Sequence, residues 1–378
     1  MLLCRLGLMA MTLAGSSLFF TPSIVPDATA AARLAIYYGY PSLVNGAKGD
    51  VDKAASVFSR CDVVILGDGL EFPDKQSARY PTGEPEEHEK VLRIIAAVRN
   101  RGAGTRFYGY VCLGGIPFHN GQKISLTPEQ LEERVRLWKQ TGVAGIFLDE
   151  AGYDFAVVTR KRQNMAVGIV HQFGLSAFMN AYFVDHLFSL QDNLAYAAGG
   201  AQNPEHLPSF LDRRDLFLLE SFQVRNGSYE SAPEWQARVD LALQYRQRYG
   251  ARIFATTTTT EQEPFSAEKF NYAWWTALLY DLDGFSWGEP NFAALSNALP
   301  DHRCGLQSTM LPAFEQSSAV RSDNTHFWRK AGNYLIVGDS ATHSVYRAPF
   351  DATPEPKDIE AWLASPRGGS LLTCGGGA

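Results

Sequence analysis

Apolar residues fall into eight short runs separated by longer amphipathic stretches. The runs are Leu34–Tyr38 (LAIYY), Asp62–Leu66 (DVVIL), Arg106–Cys112 (RFYGYVC), Gly145–Asp149 (GIFLD), Leu175–Asn180 (LSAFMN), Asp215–Glu220 (DLFLLE), Arg252–Thr256 (RIFAT) and Asp283–Trp287 (DGFSW). Each is rich in β-branched or aromatic side chains. They are continuous rather than alternating, as in strands covered on both faces. The stretches between them read as helices. Val51–Arg60 carries an apolar face, and Glu86–Arg99 is acidic at its start and basic at its end, as the helix dipole favours. Thr127-Pro128-Glu129-Gln130 opens a helix that runs to Gln140. Asn164–Phe173, Ala232–Tyr249 and Glu268–Leu279 follow the same pattern, and Gly142, Gly174 and Gly250 stand where helices should stop.

Strand starts recur 28 to 44 residues apart, the period of a β-loop-α-loop unit. Eight such units predict an α/β protein with a (β/α)8 barrel over residues 33–290. An open doubly wound sheet is the competing architecture. No glycine-rich dinucleotide fingerprint follows Tyr38 or Leu66, and Gly67-Asp68-Gly69 is too short for a phosphate loop. Residues 291–378 form a C-terminal extension. There Asn333–Val337 and Ser344–Arg347 suit a small β-hairpin, and Ser365–Ala378 is a loose, glycine-rich tail.

The N-terminal residues 1–30 read as a signal peptide: an early Arg5, an apolar stretch, then Ala28-Thr29-Ala30 with small-x-small form. A membrane anchor fits less well, because Gly15, Ser16 and Ser17 interrupt the run. The expected location is therefore secreted or periplasmic, with no membrane span in the mature chain. The net charge of −6 has no long run of one sign, which argues against nucleic acid as a partner. Cysteines 61, 112, 304 and 374 have no metal-ligand spacing. Export permits disulfides, and Cys304–Cys374 is the pair to test; Cys61 and Cys112 are expected as buried thiols.

Active sites of such barrels lie at the C-terminal ends of the strands. The strand ends here offer Tyr38 with Tyr40, Asp68, Tyr110, Asp149 with Glu150, Asn180, Glu220, Thr256, and Trp287 with Glu289. No strand end carries histidine, so a zinc site is not expected. The carboxylates could instead hold Mg²⁺ or Ca²⁺, but no Asp-x-Asp loop of the calcium type is present, and no metal or cofactor is expected. Asp149-Glu150 and Glu220 each follow a fully apolar run, where an unused carboxylate is costly. Facing carboxyl groups are what glycoside hydrolysis needs, one to protonate the leaving oxygen and one to attack or to activate water. The bland alternative is that Asp149 or Glu150 caps the next helix or pairs with Arg160 or Arg162. Being adjacent, Asp149 and Glu150 should point to opposite faces of a regular strand. Asn180 could bind a substrate hydroxyl, and Tyr38, Tyr40, Tyr110 and Trp287 could stack on sugars. Asp68 and Glu289 are further acidic groups at the rim.

GVAGIFLDEAGYDF (Gly142–Phe155), TRKRQN (Thr159–Asn164) and HQFGLSAFMNAY (His171–Tyr182) resemble exported barrel proteins related to spherulin-4-like glycosidases, which are similar to endo-α-1,4-polygalactosaminidases. DLFLLESFQ, DGFSWGE and the opening AIYYGYPS fit the same pattern. The resemblance implies a glycoside hydrolase, endo-acting on galactosamine-type polysaccharide. Its functional carboxylates would be Asp149, Glu150 and Glu220. The rival expectation from another class is a non-catalytic carbohydrate-binding barrel of the cell envelope.

Overall fold

The computed structural model describes residues 31–73, 85–117, 123–192, 194–198, 200–304, 321–323, 325–349, 359, 363 and 369–374. The expected signal peptide lies outside the described residues, as does part of the glycine-rich tail. Eight parallel strands close into a barrel: β1 Ala32–Tyr37, β2 Val63–Leu66, β3 Arg106–Cys112, β4 Gly145–Asp149, β5 Ser176–Asn180, β6 Leu216–Leu219, β7 Arg252–Thr256 and β8 Gly284–Ser286. Each pairs with its sequence neighbours, and β8 returns to β1 through Ala32↔Gly284 and Arg33↔Phe285. All eight apolar runs form these strands, so the (β/α)8 expectation holds.

The helices follow the predicted stretches: α1 Val51–Phe58, α2 Pro85–Asn100, α3 Pro128–Thr141, α4 Arg160–Gln172, α6 Ala232–Tyr249 and α7 Ala267–Leu279. A short α5, Asp185–Phe188, had no clear pattern of its own. Thr127 caps α3 in a reciprocal box with Gln130, and Gly142 and Gly250 end α3 and α6 in the left-handed conformation. Among the described residues no helix is long and apolar enough to cross a membrane.

Alternation along each strand sorts its residues into two cores. Leu34, Ile36, Val63, Ile65, Tyr108, Phe147, Phe178, Leu216, Leu218 and Phe254 fill the barrel interior. The intervening residues, such as Ala35, Val64, Ile146, Ala177, Phe217 and Phe285, pack outward against the helices. The interior is aromatic, with Phe178 meeting Tyr108, Phe147 and Phe254 at ring separations of 5.5, 5.4 and 5.5 Å. A Cβ on Gly145 or Gly284 would stand 2.4 or 2.2 Å from the ring of Tyr108 or Phe254, so both positions must be bare for these rings to fit.

At the N-terminal end of the barrel one device recurs. Asp62, Asp215 and Asp283, each just before a strand, accept the backbone N–H of Arg33, Ala177 and Ile253 on the preceding strand at 2.8 Å. They tie β1 to β2, β5 to β6 and β7 to β8.

A second, antiparallel sheet follows: β9 Arg321–Ser322, β10 His326–Ala331, β11 Tyr334–Asp339, β12 Ser344–Pro349 and β13 Ser370–Leu371, in that order. It docks on α6 and α7 through Phe327, whose ring meets Trp235, Tyr280 and Tyr272 at 5.1, 5.8 and 6.3 Å. Cys304 and Cys374 form a disulfide. Cys112 is buried and free; Cys61, also free, is only half-buried.

Candidate active site

The parity that fills the barrel also aims the acids. Phe147 on β4, Phe178 on β5 and Leu218 on β6 face the interior. Asp149, Asn180 and Glu220 lie two residues further along each strand and face the same way at its C-terminal mouth. There the Asn180 side-chain nitrogen donates to both Asp149 and Glu220 at 2.8 Å. Those two carboxylate oxygens therefore lie no more than 5.6 Å apart, twice the 2.8 Å of each bond. Asn180 Oδ1 is buried and accepts no hydrogen bond from the described residues.

Both acids keep some contact with solvent, yet they sit deep over the aromatic plug. Burial pushes the Asp149 carboxyl above the usual range, against bonds from Asn180, Tyr110 and the Glu150 backbone; the Glu150 charge pushes it further up. Burial also raises Glu220, and so does the charge of Asp149, while Asn180, Arg238 and Arg225 pull it down. Tyr38 is raised by burial and by the charges of Asp149, Glu220 and Asp68.

Glu150 does not obey strand alternation, because the strand ends at Asp149. Glu150 takes φ +50°, a left-handed turn, and its side chain swings to the cavity rather than the outer core. The cavity, about 520 Å³, is lined by Tyr38, Tyr40, Asp68, Tyr110, Cys112 and Glu150 among others. Cys112 Sγ lies 3.4 Å from Glu150 Oε2. Tyr38 and Tyr110 meet edge to face at 5.4 Å. Asp68 is held by Arg134, which also bonds the buried Glu71, each at 2.5 Å. Burial raises the Glu71 carboxyl to about 7, against the pull of Arg134.

The helix-capping alternative for the acids does not hold. Thr159 caps α4. Arg160 donates to the Leu187 and Ser189 carbonyls, and Arg162 to those of Leu113 and Leu126. Asp149 and Glu220 make no ion pair among the described residues.

Two expected site residues are not brought to this cluster. Trp287 keeps the outward parity of Phe285 and packs in the outer core, 5.2 Å from Phe265 and 6.3 Å from Phe270. Glu289 accepts from His302 at 2.5 Å beside a separate, smaller cavity. The aromatic group that β8 does deliver is Phe292. Asn291, Phe292 and Ala293 all adopt positive φ (50, 47 and 64°), turning the chain back so that Phe292 meets Tyr38 at 5.3 Å. Three successive left-handed residues with side chains are costly and rarely kept without use.

Sequence reasoning also missed Arg238 on α6. It donates to the Glu220 and Ser221 carbonyls at 2.8 and 3.0 Å and to Glu230 at 2.6 Å. It thereby fixes a tight turn in which Ser221 and Gln223 have positive φ. The threonine run after β7 joins the same framework: Thr258 Oγ1 contacts Ser221 Oγ at 2.8 Å, and Thr259 donates to the Gly288 carbonyl at 2.5 Å. A His171–Asp212–Asp215 cluster lies at the other end of the barrel. Asp215 there accepts the Ala177 and Asp212 N–H groups and contacts His171, so its oxygens are occupied in joining strands.

The fold and its mouth define a (β/α)8 barrel with three clustered carboxylates. No protein-family model and no curated protein matches the chain, so the polygalactosaminidase resemblance rests on its motif residues alone. Among solved structures it is similar to one described as CpGH84B, at 9% identity and TM-score 0.41 over 68% of this chain. The match takes in 45% of that chain, less than half its length. It is also similar to the endo-beta-1,4-glucanase Xac0029 of Xanthomonas axonopodis pv. citri, at 10% identity and TM-score 0.40, over 68% of this chain and 87% of that one. Likeness this distant bears on neither substrate nor catalytic residues.

Proposed function

We propose that the protein is a glycoside hydrolase that cleaves an amino-sugar polysaccharide of galactosamine type from within the chain, with Asp149 and Glu220 as its catalytic pair. The observation that carries this reading is the shared Asn180 amide, which keeps two partly desolvated carboxylates within 5.6 Å of each other, twice its 2.8 Å bonds. Carboxyl groups about 5–5.5 Å apart suit a retaining double displacement, whereas inversion needs a wider gap for water.

Their surroundings separate the two roles. Burial raises both acids. Arg238 and Arg225 pull Glu220 down against the charge of Asp149, whereas Asp149 is held down by bonds from Asn180, Tyr110 and the Glu150 N–H rather than by an arginine. Glu220, which has the two arginines near it, is assigned as the nucleophile that attacks the anomeric carbon. Asp149 is assigned as the acid, which in its protonated form donates its proton to the leaving glycosidic oxygen. After the leaving sugar departs, Asp149 as carboxylate takes a proton from water, which hydrolyses the glycosyl ester on Glu220. Glu150, on the cavity wall with Asp68, gives the bound sugar an acidic surround that suits a protonated amino group. The motif resemblance supports the galactosamine polymer and secretion after loss of residues 1–30.

The test is hydrolysis of a partly N-acetylated α-1,4-galactosamine polymer by mature protein. Glu220→Gln and Asp149→Asn should each reduce turnover by at least about a hundredfold. Nuclear magnetic resonance of the first product should show the α anomer. Full activity in Glu220→Gln would sink the assignment. Tight glycan binding without turnover in the unaltered protein would favour the non-catalytic carbohydrate-binding barrel.

A further inference from the structure

We infer that the exposed ring of Tyr196, stacked on Phe183, is a second sugar-binding subsite flanking the acidic pair on the side away from the main cavity. The inference rests on the glycosidase reading and extends it to a part of the mouth that reading does not use. Tyr196 lies in the long segment after β5 and is 73% exposed, although its ring is large and apolar. It lies face to face on Phe183 at 4.4 Å with the planes only 5° apart. One face is thus covered and the other left to solvent. The backbone of Tyr196 is held at φ +62°, in the left-handed region that a bulky residue adopts only at a cost. An exposed aromatic ring fixed in a strained backbone and backed by a second ring is a rigid platform. The apolar face of a pyranose stacks on such a surface.

Two observations connect this platform to the acids. Phe183 follows Asn180 by three residues, so its Cα lies at most about 11 Å from that of Asn180, whose side chain joins Asp149 to Glu220. Beneath the stack lies a groove of about 170 Å³ lined by Phe183, His186, Leu194, Tyr196, Arg238 and Leu241 among others. Arg238 is the same residue that donates to the Glu220 carbonyl at 2.8 Å, so groove and strand end share a wall. Other polar groups of the groove are engaged: His186 meets the Tyr153 N–H and the Ala195 carbonyl, and Asp185 accepts from Tyr245. Recognition there is by stacking rather than by hydrogen-bonded readout. The main cavity belongs to the β1–β4 side and the platform to the β5–β6 side. A glycan spanning both crosses the acids with sugars on either flank, the arrangement internal cleavage requires.

Binding of α-1,4-galactosamine di- and octasaccharides is measured on Glu220→Gln protein, alone and combined with Tyr196→Asn or Tyr196→Trp. Asparagine tolerates the left-handed backbone, so that variant removes the ring without adding strain. Octasaccharide affinity should fall about tenfold with Tyr196→Asn and be kept by Tyr196→Trp. Disaccharide affinity, and hydrolysis of a short aryl glycoside by Tyr196→Asn with Glu220 intact, should not change. Unchanged octasaccharide affinity in Tyr196→Asn overturns the subsite while leaving the glycosidase reading in place. If neither parent nor intact protein binds or cleaves these glycans, the glycosidase reading falls and the subsite with it.

Discussion

Asn180 uses one amide nitrogen to hold two acids that would otherwise repel each other. Its donation lowers both Asp149 and Glu220 against the upward push of burial. Asn180→Ala should therefore raise both. In the proposed mechanism Glu220 must be ionised to attack and Asp149 protonated to donate, so the acid limb of the pH–rate profile should move to higher pH. The basic limb, which follows Asp149, should move up as well. Turnover should fall about a hundredfold, the usual effect of losing one donor from a site where charge shifts. Tyr110→Phe separates the two acids, because Tyr110 donates to Asp149. Its loss should move the basic limb upward and leave the acid limb in place. Kinetics of both variants across pH provide the check, and the limbs belong to the coupled pair rather than to isolated groups. A Tyr110→Phe profile shifted on the acid limb alone would exchange the roles of Asp149 and Glu220.

The barrel strands and all helices but the short α5 were legible, because each strand is built on a continuous apolar run and the longer helices have start or stop signals such as Thr127 and Gly250. The strand-end rule put Asp149, Glu150, Asn180 and Glu220 on the candidate list, but which of Asp149 and Glu150 shares the interior parity of Phe147 needed the structure. So did the parity of Trp287, because β8 has three residues and its inward set is fixed only when Gly284 meets the Phe254 ring on barrel closure. Arg134 and Arg238 were missed, since they look in sequence like any other helical arginine. The aspartates before β2, β6 and β8 were visible as letters, but their role needs the neighbouring strand. Asp215 is fully buried and serves two backbone N–H groups and His171. Asp215→Ala should cost about 2–4 kcal/mol in chemical denaturation, since it strands those donors, while the distant mouth keeps its activity. Asp62 is half-exposed and behaves differently. Burial pushes it up, but the bonds from Arg33 win and its folded pKa lies below the ordinary value. Its contribution is thus present above the unfolded pKa of about 3.9 and is lost as pH falls through the folded value. Asp62→Asn should lower the melting temperature at neutral pH, with the difference closing in strong acid. A gap that persists there would mean that the bond geometry, not the charge, ties β1 to β2.

At the scale of the molecule, the second sheet is fastened to the barrel by several contacts, among them the stacking of His343 on Tyr229 at 3.6 Å and the bond from Arg329 to the Leu279 carbonyl. Two further joints bear on its stability. One is the aromatic contact of Phe327 with Trp235, Tyr272 and Tyr280. The other is the end of the sheet. Asn271 on α7 donates to the Leu372 carbonyl at 2.7 Å and accepts from the Cys374 N–H at 2.5 Å, and Cys374 is bonded to Cys304. The disulfide spans 70 residues, including the whole sheet. Closing a loop of that length removes enough freedom from the unfolded chain to stabilise the fold by up to about 4 kcal/mol. The acids lie at the mouth of β4–β6, whereas the sheet rests on the outer faces of α6 and α7. Cutting the disulfide should therefore loosen the sheet without disturbing the site. Cys304→Ser should lower the melting temperature and speed amide exchange in β10–β12. It should leave turnover, and exchange in the barrel strands, as in the parent. The comparison is made at a temperature where both proteins remain folded, since catalysis then reports on the mouth alone. Turnover that falls in step with sheet exchange would show instead that α6, which carries both Trp235 and Arg238, transmits the sheet's docking to Glu220.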